Sequence, residues 1–435
     1  MGAASKKECA PMKKIAILVF FTVGFFVHVW ACTGLIAGKQ ATVDGSVLVT
    51  YSADSHTLYG ALTSSPAADW PKGSMRSIVE WDTNKPLGEI EQVEHTYAVI
   101  GNMNEHQLTV VESTWGGRPE LVDTTGIIDY GSFMQLALER AKTAREAIKV
   151  MTGLVKKYGY YSSGESFTIA DPNEAWILDL IGKGPGRRGA VWVAVRIPDD
   201  CIAGHANYPR IHKIPMDDKE NCLYSPDVIS FAREMGYFDG LNKDFSFARA
   251  YSPADFGALR ACDARVWSFF RKYDSSMDNY LPYVNGESAE PFPLYVKPSR
   301  KLSVQDMKEA MRDHFEDTPF DMTQDVGAGP FKVPYRFRPM SFEVDGKSYC
   351  MERAIATQQT GFTLVGQMRN WLPDPVGGVL WFGVDDANTC VYIPMYCGIT
   401  QVPECFSPEN GSMYDFSWTS AFWIHNWVAN MAYAR

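Results

Sequence analysis

Long basic runs are missing from this sequence. Its 435 residues carry 41 Lys+Arg against 51 Asp+Glu, a formal charge of −10. Affinity for nucleic acid rests on Lys and Arg neutralising phosphates, so a nucleic-acid partner is excluded. C-x-x-C is missing too, and the spacing of Cys390, Cys397 and Cys405 fits no zinc pattern. No metal and no organic cofactor is expected. Internal repeats, low-complexity tracts and long linkers are also absent, which excludes a solenoid and favours one continuous domain. What is present is ordinary globular material: 46% apolar and 21% charged residues, with 12 Trp, 24 Phe and 21 Tyr for a core. That balance excludes a disordered or collagen-like chain.

A single long apolar stretch exists, Ile15 to Trp30, interrupted by Thr22, Gly24 and His28 and preceded by Lys6, Lys7, Lys13 and Lys14. It is shorter than the roughly 20 residues that span a bilayer. A basic start, an apolar run and a small residue at its end, in Val29-Trp30-Ala31-Cys32, are the features of a secretory signal. Residues 1–31 are expected to be a signal peptide cleaved after Ala31, leaving residues 32–435 as a secreted or periplasmic protein with no stable membrane association. The alternative is a lipid anchor on Cys32. Val29 and Ala31 fit the residues before a lipidated cysteine, whereas Trp30 stands where a small residue is usual.

Cys9 leaves with such a signal. The cysteines beyond Cys32 (Cys201, Cys222, Cys262, Cys350, Cys390, Cys397 and Cys405) are expected to be structural or disulfide-bonded, since export permits disulfides.

Apolar periodicity and turn residues outline the elements. Leu35–Ala37 and Val47–Val49 flank Asp44-Gly45 as a hairpin. Strands are expected at 96–100, 108–112, 167–170, 175–181, 190–197, 360–367, 378–384 and 389–392. Two helices are expected within 129–158, the second opened by Thr143 and Glu146 as a capping box, with Ile148, Met151 and Val155 on one face. Further helices follow Ser225-Pro226-Asp227, occupy Ser303 to Asp317, and run from Trp418 to Arg435, where no stop signal occurs and a truncated C-terminus is expected. Two groups of strands with helices between and after them point to a layered α+β domain.

The position of Cys32 carries the chemistry. Cleavage before it would place a thiol and a free α-amine on one residue. The amine titrates near pH 8, close enough to neutrality to accept a proton. The thiolate is the competent nucleophile. One residue could thus supply both nucleophile and base.

The surrounding residues carry a resemblance. Cys32-Thr33-Gly34, Gly38-Lys39-Gln40-Ala41-Thr42-Val43-Asp44-Gly45-Ser46 and Asp54-Ser55 resemble the start of the C69 dipeptidases, N-terminal cysteine hydrolases. The likeness continues through Gly101-Asn102-Met103-Asn104-Glu105-His106, Gly116-Gly117-Arg118 and Gly164-Glu165-Ser166-Phe167. Ile169-Ala170-Asp171-Pro172-Asn173-Glu174-Ala175-Trp176 and Gly204-His205-Ala206-Asn207 extend it. Further on come Arg312-Asp313-His314-Phe315-Glu316, Thr318-Pro319-Phe320-Asp321, Gln358-Gln359-Thr360-Gly361 and Trp381-Phe382-Gly383-Val384-Asp385-Asp386. Each motif is weak alone; their order covers nearly the whole chain beyond residue 31.

The resemblance implies an α+β fold of the N-terminal nucleophile hydrolase type, a four-layer αββα sandwich. It implies hydrolysis of dipeptides with a free amino end through a thioester, with a small peptide as the partner molecule. Conjugated bile salt hydrolases and penicillin V acylases share the fold and the cysteine, so a non-peptide amide is the alternative substrate. It leaves a homo-oligomer open. Residue by residue, Cys32 matches the nucleophile and Asp54 the carboxylate near it. Asn104 matches an oxyanion donor and Asn207 a second amide at the reacting centre. Arg353 matches a late, substrate-binding arginine. One departure stands out: many relatives carry Arg-Asn-Glu-Asp where this chain has Tyr51-Ser52-Ala53-Asp54. Tyr51 therefore occupies a substrate-binding place where a guanidinium would otherwise lower the thiol pKa. The implied family needs no catalytic histidine, so His106, His205 and His314 are not taken for a Cys–His pair.

Overall fold

The computed structural model describes residues 32–336 and 341–433. The expected signal segment lies outside the described residues.

Strand Thr33–Ala37 pairs antiparallel with Val47–Asp54, in register from Thr33↔Ser52 to Ala37↔Leu48. The turn between them is held locally: Asp44 Oδ1 accepts the backbone N–H of Ser46 at 3.1 Å and its hydroxyl at 2.6 Å. Gly45 sits at φ 84°, where a side chain is disfavoured. This pair forms the centre of a seven-stranded sheet. Ile202–His205 and Tyr295–Val296 extend it on one side, Thr360–Met368, Val379–Val384 and Ile393–Tyr396 on the other. An eight-stranded sheet is built around Thr109–Gly116, Gly164–Ala170, Ala175–Gly182 and Ala190–Ile197. The strand pairs within both sheets are antiparallel.

Strand alternation distributes the core. Ile36 and Val49 of the first sheet pack in one cluster with Val111 and Ile177 of the second. Their neighbours in sequence point the other way. Leu35 and Leu48 pack with Trp267, Phe269, Phe270 and Met307, from the helices Ala264–Arg271 and Val304–Ala310. Val110, Phe167 and Trp176 pack with Phe133, Ile148 and Met151, from the helices Tyr130–Arg140 and Ala144–Tyr158. The molecule is thus a mixed α/β protein whose two antiparallel sheets share a core and each carry helices on the other face. Gly34 lies opposite His205 across the strand pair, and a Cβ there would come within 2.9 Å of the imidazole. Only glycine lets the ring lie over that strand.

Several expected elements stand close to where periodicity placed them, including the helix Ala144–Tyr158. Its N-cap Thr143 accepts the Glu146 N–H, while the Glu146 carboxylate takes the N–H of Lys142 rather than that of Thr143. Others differ. The helix expected over Ser303 to Asp317 ends at Ala310. Phe315 and Asp317 adopt φ of 64° and 60°, incompatible with a continued helix, yet Met307, Met311 and Phe315 all remain buried. The last strand is Ile393–Tyr396, not 389–392, because Thr389 and Cys390 give their N–H groups to Asp386 O in a turn. The helix after Ser225 starts at Val228, with Asp227 rather than Ser225 at the cap. Cys201, Cys222, Cys262, Cys390, Cys397 and Cys405 are free thiols, as is Cys32, so no disulfide joins these seven. Among the described residues no helix is long and apolar enough to cross a membrane.

Candidate active site

Cys32 directly precedes the central strand Thr33–Ala37 and is 4% exposed. It lines a cavity of about 90 Å³. Leu58, Leu62, Met134, Phe362 and Phe382 form apolar walls, and Tyr51, Asp54, Asn102 and Glu112 bring polar groups to it. Tyr51 Oη donates to Glu112 Oε1 at 2.5 Å and stands 3.6 Å from Cys32 Sγ. Burial, and after it the carboxylates of Glu112 and Asp54, push the thiol well above its usual range, while the Asp54 backbone N–H and the Tyr51 hydroxyl work in the opposite direction.

Asp54 closes the strand Val47–Asp54. Its Oδ1 accepts from Thr360 Oγ1 at 2.6 Å. Its Oδ2 accepts from Arg353 Nη2 at 2.6 Å and from Ser52 Oγ at 3.2 Å. Both Asp54 and Arg353 are buried. Arg353 was expected to bind substrate. Its described contacts include this carboxylate and the carbonyls of Ala354 and Ile355, because a buried guanidinium takes the nearest anion and backbone acceptors.

Asn207, at φ 56°, donates from Nδ2 to Thr114 O at 2.5 Å and accepts at Oδ1 from Arg265 Nη2 at 2.8 Å. Arg265 was not expected at all. It is 1% exposed, and its Nη1 donates to Cys32 O at 2.8 Å and Thr33 Oγ1 at 2.7 Å. Its Nε donates to Ala261 O at 2.8 Å, within a π-helical turn that runs straight into the helix Ala264–Arg271. Burial, and then the charge of Arg353, lower its pKa to about 10. The guanidinium therefore ties the backbone of Cys32 to Asn207.

Asn104 was expected to donate to an oxyanion. Its Nδ2 donates to Leu138 O at 2.8 Å and Ala141 O at 2.7 Å, and its Oδ1 accepts the N–H groups of His106 and Leu108. Both ends are used to hold its own turn against the end of the helix Tyr130–Arg140, and it is not among the residues around the cavity. Asn102, two positions earlier, is; one amide hydrogen goes to Val110 O at 2.9 Å.

Glu112 and Glu165 were also missed as a pair. Thr114 Oγ1 donates to Glu165 Oε1 at 2.8 Å, and Thr114 and Glu165 are cross-strand partners. Burial raises both carboxyl groups, Glu165 well above its ordinary range with Glu112 as the next cause. The charge of Glu112 makes Glu165 the harder of the two to ionise. His205 lies between Ser113 Oγ (2.6 Å) and Thr168 Oγ1 (2.9 Å), and burial, then Arg265, lowers its pKa to about 3. It is a neutral structural residue. Among the described residues no group of three or more His, Cys, Asp or Glu is arranged to hold a metal ion.

The sequence is similar to a "Probable dipeptidase" of Salmonella dublin, 27% identical, covering 85% of this chain and 81% of the relative. A "Probable dipeptidase" of Latilactobacillus sakei is 24% identical over 93% of this chain and 81% of its own length. "Dipeptidase A" of Lactobacillus helveticus is 25% identical over 92% and 81%. The sequence pattern of peptidase family C69 matches residues 31–435. The chain belongs to peptidase family C69.

Proposed function

We propose that this peptidase is an exported dipeptidase that uses Cys32 as an N-terminal nucleophile, on an N-terminal nucleophile αββα sandwich. One observation carries the reading: Cys32 leads into the central strand and its sulfur meets the Tyr51, Asp54 and Glu112 cavity while Arg265 holds its carbonyl. The relatives' names as dipeptidases support the substrate class.

Cleavage before Cys32 frees the α-amine. The thiol proton passes to that amine as Sγ attacks the scissile carbonyl carbon, forming an S–C bond. The oxyanion is stabilised by Asn102, which lines the cavity, a contribution of roughly 3–4 kcal/mol for one preorganised donor. Collapse breaks the C–N bond, the ammonium of Cys32 returns the proton to the leaving amine, and the acyl group remains as a thioester. Water then adds with the amine again accepting a proton, and the S–C bond breaks to give the free acid and thiol. Asp54, neutralised by Arg353, and Asn207, bridged by Arg265, act as positioning residues.

N-terminal sequencing of the isolated protein, with an assay of Cys32→Ala, tests this. A mature chain starting at a free Cys32 and loss of dipeptide hydrolysis are expected. An acylated Cys32, or full turnover by the variant, would overturn it.

A further inference from the structure

The cavity holds two carboxylates, and only one of them is neutralised. Asp54 faces Arg353 and accepts two further hydroxyl hydrogen bonds. Glu112 has no such cation. Among the described residues around the cavity there is no Lys, Arg or His. Glu112 is 2% exposed, its Oε1 takes the Tyr51 hydroxyl, and its Oε2 meets no hydrogen-bond donor. Behind it Glu165 Oε2 is equally without a donor. A buried carboxylate left this way is costly unless a proton or an incoming cation neutralises it.

We propose that Glu112, backed by Glu165, is the specificity-determining residue that receives the α-ammonium of the substrate, so that the first residue of a dipeptide enters the cavity and its carboxylate end stays outside. This rests on the reading of Cys32 as the nucleophile. In the empty site burial raises both carboxyls and holds Glu165 well above its ordinary range. An arriving ammonium lets Glu112 carry full charge while the proton remains on Glu165. Tyr51 fixes the spacing. Its hydroxyl touches both Glu112 (2.5 Å) and the sulfur (3.6 Å), so an ammonium on Glu112 leaves the adjacent carbonyl carbon beside Sγ. The apolar walls formed by Leu58, Met134 and Phe362 then meet the first side chain. The same acid that attracts an ammonium repels a carboxylate, so the substrate cannot enter reversed.

The test compares leucyl-alanine with N-acetyl-leucyl-alanine and with 4-methylpentanoyl-alanine, which lacks the amino group. Binding is measured by calorimetry on Cys32→Ala protein with and without Glu112→Gln, and kinetics on the single Glu112→Gln enzyme. Both analogues, which lack the α-ammonium, should bind at least about 100-fold more weakly than leucyl-alanine, the order expected for loss of a charged hydrogen-bond partner. Glu112→Gln should shrink that gap to less than about 10-fold and raise KM far more than it lowers kcat. Equal binding of the three ligands, or a gap unchanged in Glu112→Gln, overturns the proposal. Where Glu112→Gln fails to fold, equal binding of leucyl-alanine and the deamino analogue to Cys32→Ala protein still overturns the proposal. Failure of the nucleophile reading shows differently, as undiminished turnover by Cys32→Ala.

Discussion

Arg265 Nη1 lies 2.8 Å from the carbonyl oxygen of Cys32, so the backbone of the proposed nucleophile is anchored from a helix more than two hundred residues away in the chain. The same side chain serves Thr33 Oγ1, Ala206 O, Asn207 Oδ1 and Ala261 O. Arg265→Met orphans these buried acceptors and should cost at least about 3 kcal/mol, since each unsatisfied group costs roughly 1–3. Arg265→Lys keeps a charge but not the planar fork and should recover less than half of that loss. Urea unfolding gives the stabilities. Alkylation of Cys32 under native conditions reports whether the sulfur has lost its place. Equal stability of the Lys variant and the wild type would mean the fork is not what matters.

Arg353 and Asp54 form a buried ion pair with 6% and 0% side-chain exposure. Burying two charges is repaid only while both are present. Asp54→Asn and Arg353→Met should each destabilise by about 3–5 kcal/mol, and the double variant by much less than the sum. A double-mutant cycle by denaturant unfolding measures the coupling. Additive losses would show that the two residues act separately.

The contrast between these arginines explains what the sequence made legible. Apolar runs on either side of the Asp44-Gly45 turn placed Thr33–Ala37 and Val47–Asp54, and the alternation of Trp176, Leu178 and Leu180 placed Ala175–Gly182, although all three strands are buried on both faces. The role proposed for Cys32 could be read from sequence because it depends on a local cleavage signal. The place of Asn104 was not legible, because a turn asparagine and an oxyanion asparagine look alike in sequence and its bonds to Leu138 O and Ala141 O come from a distant helix end. Arg265 and the Glu112–Glu165 pair were invisible because their partners lie on distant segments. The available signal was a charged residue on an apolar element: Arg265 beside Val266 and Trp267, Glu112 after Val110 and Val111. Such a residue is buried with a partner or is doing chemistry, and the pattern alone does not say which.

The Glu112–Glu165 pair has a signature in stability. Burial raises the folded pKa of both above the ordinary 4.5. A carboxyl raised on folding binds more protons in the native state than in the unfolded one. Its contribution is therefore complete below pH about 4.5 and is lost as pH rises through the folded values. Glu165→Gln removes one titrating group while keeping an acceptor for Thr114. Relative to wild type, the variant should gain stability as pH is raised from 4.5 to 8. Urea midpoints of the two proteins across that range check it. A difference that is flat with pH, or that runs the other way, would mean that Glu165 ionises freely in the folded protein.

Tyr51 replaces the arginine that the family resemblance leads one to expect, and its neighbours Cys32 and Glu112 set the consequences of that exchange. A guanidinium at this position would lie between the thiol and the Glu112 carboxylate, whose charge now helps to raise the thiol pKa. It would favour the thiolate and also supply Glu112 with the cation it lacks. Tyr51→Arg should therefore have opposed effects. Alkylation of Cys32 at pH 7 should accelerate by about tenfold for each unit by which the thiol pKa falls. Meanwhile KM for leucyl-alanine should rise, because the new charge competes with the substrate's ammonium for Glu112. Tyr51→Phe separates the two effects: it removes the hydroxyl without adding charge, so alkylation should not accelerate. A Tyr51→Arg enzyme with both a faster thiol and an unchanged KM would show that the ammonium binds elsewhere.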